Sequence, residues 1–225
     1  MRIYILLFFI GCLFGRMKGQ EVVYFYSTDS AKIRGDLYMR DYKLPFMILC
    51  HDEAADRSEF NDIAPRLLNL NYNCLAIDME ASGYHNFSLP VAQAGLRAAI
   101  AYARRFNSLP VLLLGSSWSA SLCLVEASVN TQIKAVIALS PGEYFQPKII
   151  MSDVVQKISQ PVFICGTRAE FSYLQKMAEK RPAGELTLFQ PEKGNGVQGA
   201  TALTGKDITR DEYWFALMMF FKKLV

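Results

Sequence analysis

The chain has 225 residues, of which 52% are hydrophobic and 20% are charged, a balance typical of one globular domain and not of a disordered or fibrous chain. The formal net charge is +3. Arg2, Arg16 and Lys18 account for all of it, because the first twenty residues contain no acid. The neutral remainder gives no electrostatic reason to expect nucleic acid or an anionic membrane surface as a partner.

The first twenty residues have the pattern of a targeting segment. Arg2 precedes an almost unbroken apolar run that is too short to span a bilayer comfortably. We expect residues 1–20 to be a signal peptide that ends near Gly19 or Gln20, or an uncleaved N-terminal anchor. A loose lipobox around Cys12 gives a third interpretation, in which Cys12 is lipidated. The chain is therefore expected to be exported, periplasmic or secreted, and to meet a membrane only through this segment.

Residues 21–225 are predicted to form one domain, since no composition break, repeat or low-complexity linker divides them. Two apolar segments on either side of a turn predict a β-hairpin at its start. Six short apolar runs then follow, typical of strands that are covered on both faces. The predicted strands are Val22–Ser27, Ile33–Met39, Phe46–Cys50, Cys74–Ile77, Val111–Leu114, Ala135–Leu139, Val162–Cys165 and Leu186–Phe189.

Helices are predicted between these runs from capping residues and from apolar residues at helical spacing. Alternating strands and helices predict an α/β fold, with a mostly parallel eight-stranded sheet and helices on both faces. The predicted helices cover residues 58–70, 90–106, 117–129, 149–157, 171–180 and 211–224.

A candidate nucleophile follows one of the buried runs. In an open α/β sheet, ligands bind at the carboxyl ends of the strands. After the predicted strand Val111–Leu114, the pentapeptide 115–119 has the sequence G-x-S-x-S. It differs only in its last residue from the G-x-S-x-G nucleophile turn. Its small residues permit a sharp strand-to-helix bend, so Ser117 is the predicted nucleophile and the Trp118 amide a predicted oxyanion donor. The alternative is an ordinary helix N-cap at Ser116 or Ser117.

Four further segments accompany this turn in a recognisable order. The hairpin is followed by Leu49–His51, by Cys74–Asp78, by the Ser117 turn and by Ser140–Tyr144. This order and spacing resemble an α/β-hydrolase of the dienelactone-hydrolase-like or esterase-like kind. The resemblance implies a single-domain α/β-hydrolase fold, a carboxylic-ester or acyl hydrolase activity on a small ester or acyl ligand, and no cofactor.

The resemblance also implies roles for individual residues. His51 would begin the oxyanion loop, and the Asp52 amide would be the second oxyanion donor. The family's acid follows the seventh strand, where Glu170 is the candidate, although a first-turn glutamate stabilised by the helix dipole fits equally. The family's histidine follows the eighth strand, where Gln198 stands in its place, with Asn195 as a second alignment.

The missing histidine decides the functional prediction. Neither Gln nor Asn can take a proton from a serine at pH 7, so turnover is predicted to be impaired or absent. A relocated base would have to be His85 or His51, the two histidines of the chain. With no cysteine–histidine spacing beside them, no metal site is predicted. The alternative function is a non-catalytic binding or interaction domain on a hydrolase scaffold.

Overall fold

The computed structural model describes residues 20–79, 88–181 and 185–224. The predicted signal segment up to residue 19 and the candidate base His85 lie outside these residues. The strands in the described part are β1 Glu21–Tyr26, β2 Lys32–Tyr38, β3 Phe46–Cys50, β4 Asn73–Ile77, β5 Val111–Ser116, β6 Ile133–Leu139, β7 Val162–Cys165 and β8 Leu186–Phe189.

Within the described residues these eight strands form one sheet in the order β1-β2-β4-β3-β5-β6-β7-β8. The N-terminal hairpin pairs β1 with β2, and β2 joins β4 in antiparallel register. Every other neighbouring pair is parallel. The predicted mostly parallel, eight-stranded sheet with an N-terminal hairpin is therefore confirmed.

Helices cover both faces of the sheet, and each face has its own hydrophobic core. One core packs the helices that follow β4, β5, β6 and β7 against the sheet, and the other packs the helices that follow β3 and β8. Alternate residues of the same strand enter opposite cores, as in β3, where Ile48 lies in the first core and Leu49 in the second. The helices of the described residues are α1 Ala64–Asn69, α2 Leu89–Ala103, α3 Trp118–Ala127, α4 Met151–Val155, α5 Phe171–Ala178, α6 Thr201–Thr204 and α7 Arg210–Lys222.

The first predicted helix is wrong in its detail. Residues 58–70 do not form one helix: a 3₁₀ turn covers Arg57–Phe60, and α1 begins only at Ala64. Pro65 lies at the start of α1, where a missing N–H costs nothing, whereas inside a longer helix it would remove a hydrogen bond. The short α6 was not predicted, because four residues carry too little periodicity to be recognised.

The topology brings the predicted site residues to one edge of the sheet. The carboxyl ends of β3, β5, β6 and β7 meet there, and the loop after β8 returns to the same edge. Among the helices of the described residues, none has the length and apolarity that crossing a bilayer requires.

Candidate active site

Ser117 stands at a sharp bend between β5 and α3. Its backbone has φ 52° and ψ −113°, a left-handed conformation that costs a non-glycine residue about 1–3 kcal/mol and is found at functional sites. The bend requires close packing, since a Cβ on Gly115 would lie 2.4 Å from the Ser119 carbonyl oxygen. The Ser117 N–H donates to the Leu139 carbonyl at 2.8 Å. An ordinary helix N-cap at Ser117 would have extended backbone angles and a side-chain hydrogen bond to the helix, and Ser117 has neither.

The Ser117 hydroxyl is partly exposed and contacts a tyrosine. Its Oγ lies 2.8 Å from the Tyr144 Oη, and either atom can donate. The Tyr144 ring lies against Gly142, where a Cβ would come within 2.7 Å of the ring. Gly142 is in turn fastened to α3, because its N–H donates to the Ser121 Oγ at 2.9 Å and its carbonyl accepts from that hydroxyl at 2.8 Å.

The candidate acid and the residue at the histidine position are hydrogen-bonded to each other. The Gln198 Nε2 donates to the Glu170 Oε1 at 2.8 Å. The other oxygen, Glu170 Oε2, accepts from the Thr167 N–H at 2.8 Å and from the Thr167 hydroxyl at 3.0 Å. The carboxylate is thus held with one oxygen facing residue 198, as an acid that orients a catalytic imidazole would be.

Two buried serines hold the loop that carries Gln198. The Ser140 hydroxyl donates to Glu170 Oε2 at 3.1 Å and accepts from the Gly199 N–H at 3.1 Å. The Ser116 hydroxyl accepts from the Ala200 N–H at 2.9 Å. Both serines lie at the carboxyl ends of their strands, so the loop is fixed to the ends of β6 and β5 on either side of the bend.

His51 is buried and bonds to the backbone on both sides of its ring. The Met79 N–H donates to Nε2 at 3.0 Å, and Nδ1 lies 2.6 Å from the Asp52 carbonyl oxygen. Because Nε2 accepts from an amide, these partners place a ring proton on Nδ1. For His51 to accept a proton from Ser117, its bond to Met79 would have to break. At Asn195, the second alignment for the histidine, the backbone carbonyl accepts from the Arg168 backbone N–H at 2.8 Å.

The two predicted oxyanion donors differ in their surroundings. Trp118 is the first residue of α3, so its amide lies at the positive end of the helix dipole. The Asp52 N–H donates to the Glu59 Oε2 at 3.0 Å, and an oxyanion would have to compete with that carboxylate. No described residue accepts a hydrogen bond from the next amide, that of Glu53. Burial raises the pKa of the Glu59 carboxyl.

An aromatic pair packs at the first turn of α3. The Trp118 and Phe145 rings meet edge to face with their centroids 5.2 Å apart, and the Trp118 side chain is buried in the core. Within the described residues, no cluster of three or more histidine, cysteine or acidic side chains could hold a metal ion.

Sequence reasoning missed three members of this arrangement. Ser140 directly follows the predicted strand Ala135–Leu139, and Ser116 comes two residues after Val111–Leu114. Their position at the edge of the sheet could therefore be predicted from the sequence, although their hydrogen-bond partners could not. Glu59 gave no signal, because it lies in a predicted helix and meets Ser116 only through the fold. Its bond to Ser116 spans 57 residues of sequence.

Solved structures of similar fold include esterases and dienelactone hydrolases. An esterase from Pyrococcus furiosus has a TM-score of 0.73 at 15% identity, with 92% of this chain and 91% of that chain covered. A dienelactone hydrolase from Anabaena variabilis has a TM-score of 0.69 at 14% identity, covering 90% and 95%. DcsB, solved in complex with its substrate analogue, has a TM-score of 0.75 at 14% identity, covering 92% and 99%.

The chain therefore has the α/β-hydrolase fold, in its dienelactone-hydrolase-like form. No protein-family model matches its sequence, and no curated protein sequence does. Because one fold can carry many activities, the chemistry has to be argued from the side chains of the site.

Proposed function

We propose that this chain is a hydrolase-family protein that binds a small ester or acyl ligand at Ser117 and turns it over slowly or not at all. The observation that carries the proposal is the bond from the Gln198 amide to Glu170. An amide in this place can be oriented by the acid as an imidazole would be, but it cannot accept the serine proton.

The expected loss of rate is large. Removing one member of a serine triad leaves only oxyanion stabilisation and binding, at a cost of about a thousandfold or more. What remains is the partly exposed Ser117 hydroxyl in its positive-φ conformation and the Trp118 amide at the helix N-terminus. A hydroxyl beside a helix N-terminus is suited to hold the carbonyl group of a small ester or acyl ligand.

A second candidate function is a non-catalytic binding or interaction domain on the same scaffold. The contact between Ser117 Oγ and Tyr144 Oη favours it, because a hydroxyl held by a neighbouring side chain is less available as a nucleophile. The two candidates differ in one property, namely whether Ser117 reacts with an electrophile at all.

The experiment compares wild type with Ser117→Ala in fluorophosphonate labelling and in p-nitrophenyl acetate turnover. Residual labelling that is lost in Ser117→Ala supports the hydrolase-family proposal. Absence of labelling in a folded wild-type protein supports the non-catalytic domain.

Gln198→His tests the placement of the base. We expect esterase turnover to rise at least about tenfold, since a base contributes about a hundredfold or more when it is well placed. Glu170→Ala in the same background should remove the gain. The matched control is Gln175→His, which adds the same side chain on the exposed surface of α5. If the two histidine variants have equal turnover, Gln198 does not occupy the base position.

His85→Ala tests whether His85 acts as a relocated base. A wild-type rate that falls with this substitution would assign the base to His85, and the proposal of impaired turnover would then be wrong. An unchanged rate agrees with the absence of a base, or leaves His51, which would have to give up its bond to Met79.

We also propose that the protein is exported, and that it meets a membrane only through residues 1–20. The support is the apolar pattern behind Arg2. Intact mass of the protein recovered from the producing cells distinguishes cleavage near Gly19 or Gln20 from lipidation at Cys12 and from an uncleaved anchor.

A further inference from the structure

The Glu59 carboxylate lies between two loops of the candidate site. Its Oε2 accepts the Asp52 N–H at 3.0 Å, in the loop after β3, and its Oε1 accepts the Ser116 hydroxyl at 3.0 Å, at the end of β5. Burying a carboxylate is costly unless its oxygens are hydrogen-bonded. Both oxygens of Glu59 are engaged, and both partners belong to the surroundings of Ser117.

Ser116 extends this connection to a third segment. A serine hydroxyl has one hydrogen to give and can accept through its lone pairs. Ser116 gives its hydrogen to Glu59 and accepts the Ala200 N–H at 2.9 Å, and both Ser116 and Ala200 are fully buried. Hydrogen bonds in such a series polarise one another, so the Ala200 amide is held by a hydroxyl that a carboxylate polarises.

The loop that carries Gln198 packs closely against the strand-to-helix bend at Ser117. Gly199 has φ +58°, and a Cβ at this position would lie 2.5 Å from the Ser116 Oγ. Because Gly199 directly follows Gln198, the position of residue 198 depends on the hydrogen bonds that hold its neighbours. Ser140, bonded to Glu170, pins the Gly199 N–H in the same manner.

We infer that Glu59 is a positioning residue that couples the loop after β3 to the loop carrying Gln198, and holds both against Ser117. One carboxylate thereby fixes the oxyanion side and the base side of the site together. This role rests on the proposed function, because the placement of residue 198 affects chemistry only if Ser117 reacts.

The first arm of the test measures amide hydrogen exchange in the full chain by NMR. Glu59→Ala should speed exchange at Asp52 by about tenfold, the size expected for one lost charge-assisted bond. It should also speed exchange, by a smaller factor, at Ala200, which Glu59 does not touch but whose acceptor Ser116 it polarises. Ser116→Ala should speed exchange at Ala200 and spare Asp52. Glu59→Gln retains one acceptor oxygen for two donors, so its effect should be smaller, and it keeps the side-chain volume if the alanine variant folds poorly.

The second arm measures turnover in the Gln198→His background. Glu59→Ala should lower kcat for p-nitrophenyl acetate by about tenfold, with KM changed by less than about twofold, and Glu59→Gln should recover part of the loss. Glu179→Gln is the matched control for charge, since this side chain is exposed on the surface near α5, and it should change neither arm.

The outcomes separate the two proposals. If Ala200 exchange is unchanged in Glu59→Ala, the coupling is refuted whether or not Gln198→His is active. If exchange rises but kcat does not fall, Glu59 is a structural residue and the positioning role is refuted. If Gln198→His gives no more turnover than Gln175→His, the placement of the base at residue 198 is refuted, while the exchange arm still decides whether Glu59 joins the two loops.

Discussion

At the scale of single residues, the contact with Tyr144 affects the reactivity of Ser117. Serine attacks an electrophile through a lone pair of its Oγ. The hydrogen bond to the Tyr144 hydroxyl, in which either oxygen can donate, restrains that atom. The 2.8 Å distance between the two oxygens makes this a full hydrogen bond.

We therefore expect Tyr144→Phe to speed fluorophosphonate labelling of Ser117 by up to about tenfold, the equivalent of one hydrogen bond. The phenylalanine ring keeps the contact with Gly142, so the substitution removes only the hydroxyl. Tyr42→Phe is a suitable control, because Tyr42 is an exposed tyrosine elsewhere on the chain. Slower labelling in Tyr144→Phe would mean that the phenol assists the serine.

Among the elements, the bend between β5 and α3 imposes the strictest demand on the sequence. A methyl group at Gly115 would meet the Ser119 carbonyl oxygen at 2.4 Å and the Ala120 nitrogen at 2.6 Å. Both are backbone atoms, which cannot rotate away. Gly115→Ala is expected to lower the free energy of unfolding by about 2 kcal/mol or more.

Gly95, inside α2, is the matched control for this substitution. A Cβ there meets only the Ile33 Cδ1, at an ordinary 3.5 Å. Because alanine favours the helix interior over glycine, Gly95→Ala should raise the free energy of unfolding by about 0.5–1 kcal/mol. Urea denaturation of both variants provides the measurement, and equal destabilisation by the two would contradict this account of the bend.

The elements also show how far the sequence could be interpreted. Strands such as Phe46–Cys50 and Val162–Cys165 were predicted to the residue, because an apolar run bounded by polar residues is a local signal. The strand-to-helix bend at Ser117 was predictable from another local signal, the small residues of the G-x-S-x-S pentapeptide after a buried strand. The bonds of Glu59 and Ser140 were not, since each joins segments far apart in sequence, and only the packed sheet brings them together.

At the scale of the whole molecule, Glu59 is expected to make stability depend on pH. Burial raises the pKa of its carboxyl, so the folded chain binds this proton more tightly than the unfolded chain. Below the ordinary carboxyl pKa of about 4, the group is protonated in both states and the cost of burying its charge is absent. As the pH rises through the raised pKa of the folded state, the charge has to be buried and stability is lost.

Glu59→Gln removes this titration and leaves the other carboxyl groups in place. The free energy of unfolding of the variant minus that of wild type should therefore increase between about pH 4 and about pH 7, as measured by urea denaturation. The exposed Glu179→Gln should give a difference that is flat over this range. A Glu59→Gln difference that is flat or falls would contradict the raised pKa. If this difference rises with pH, the ionised Glu59 lowers the stability of the domain, although it orders the loops around Ser117. Such a trade-off between stability and the arrangement of a site is found in other proteins.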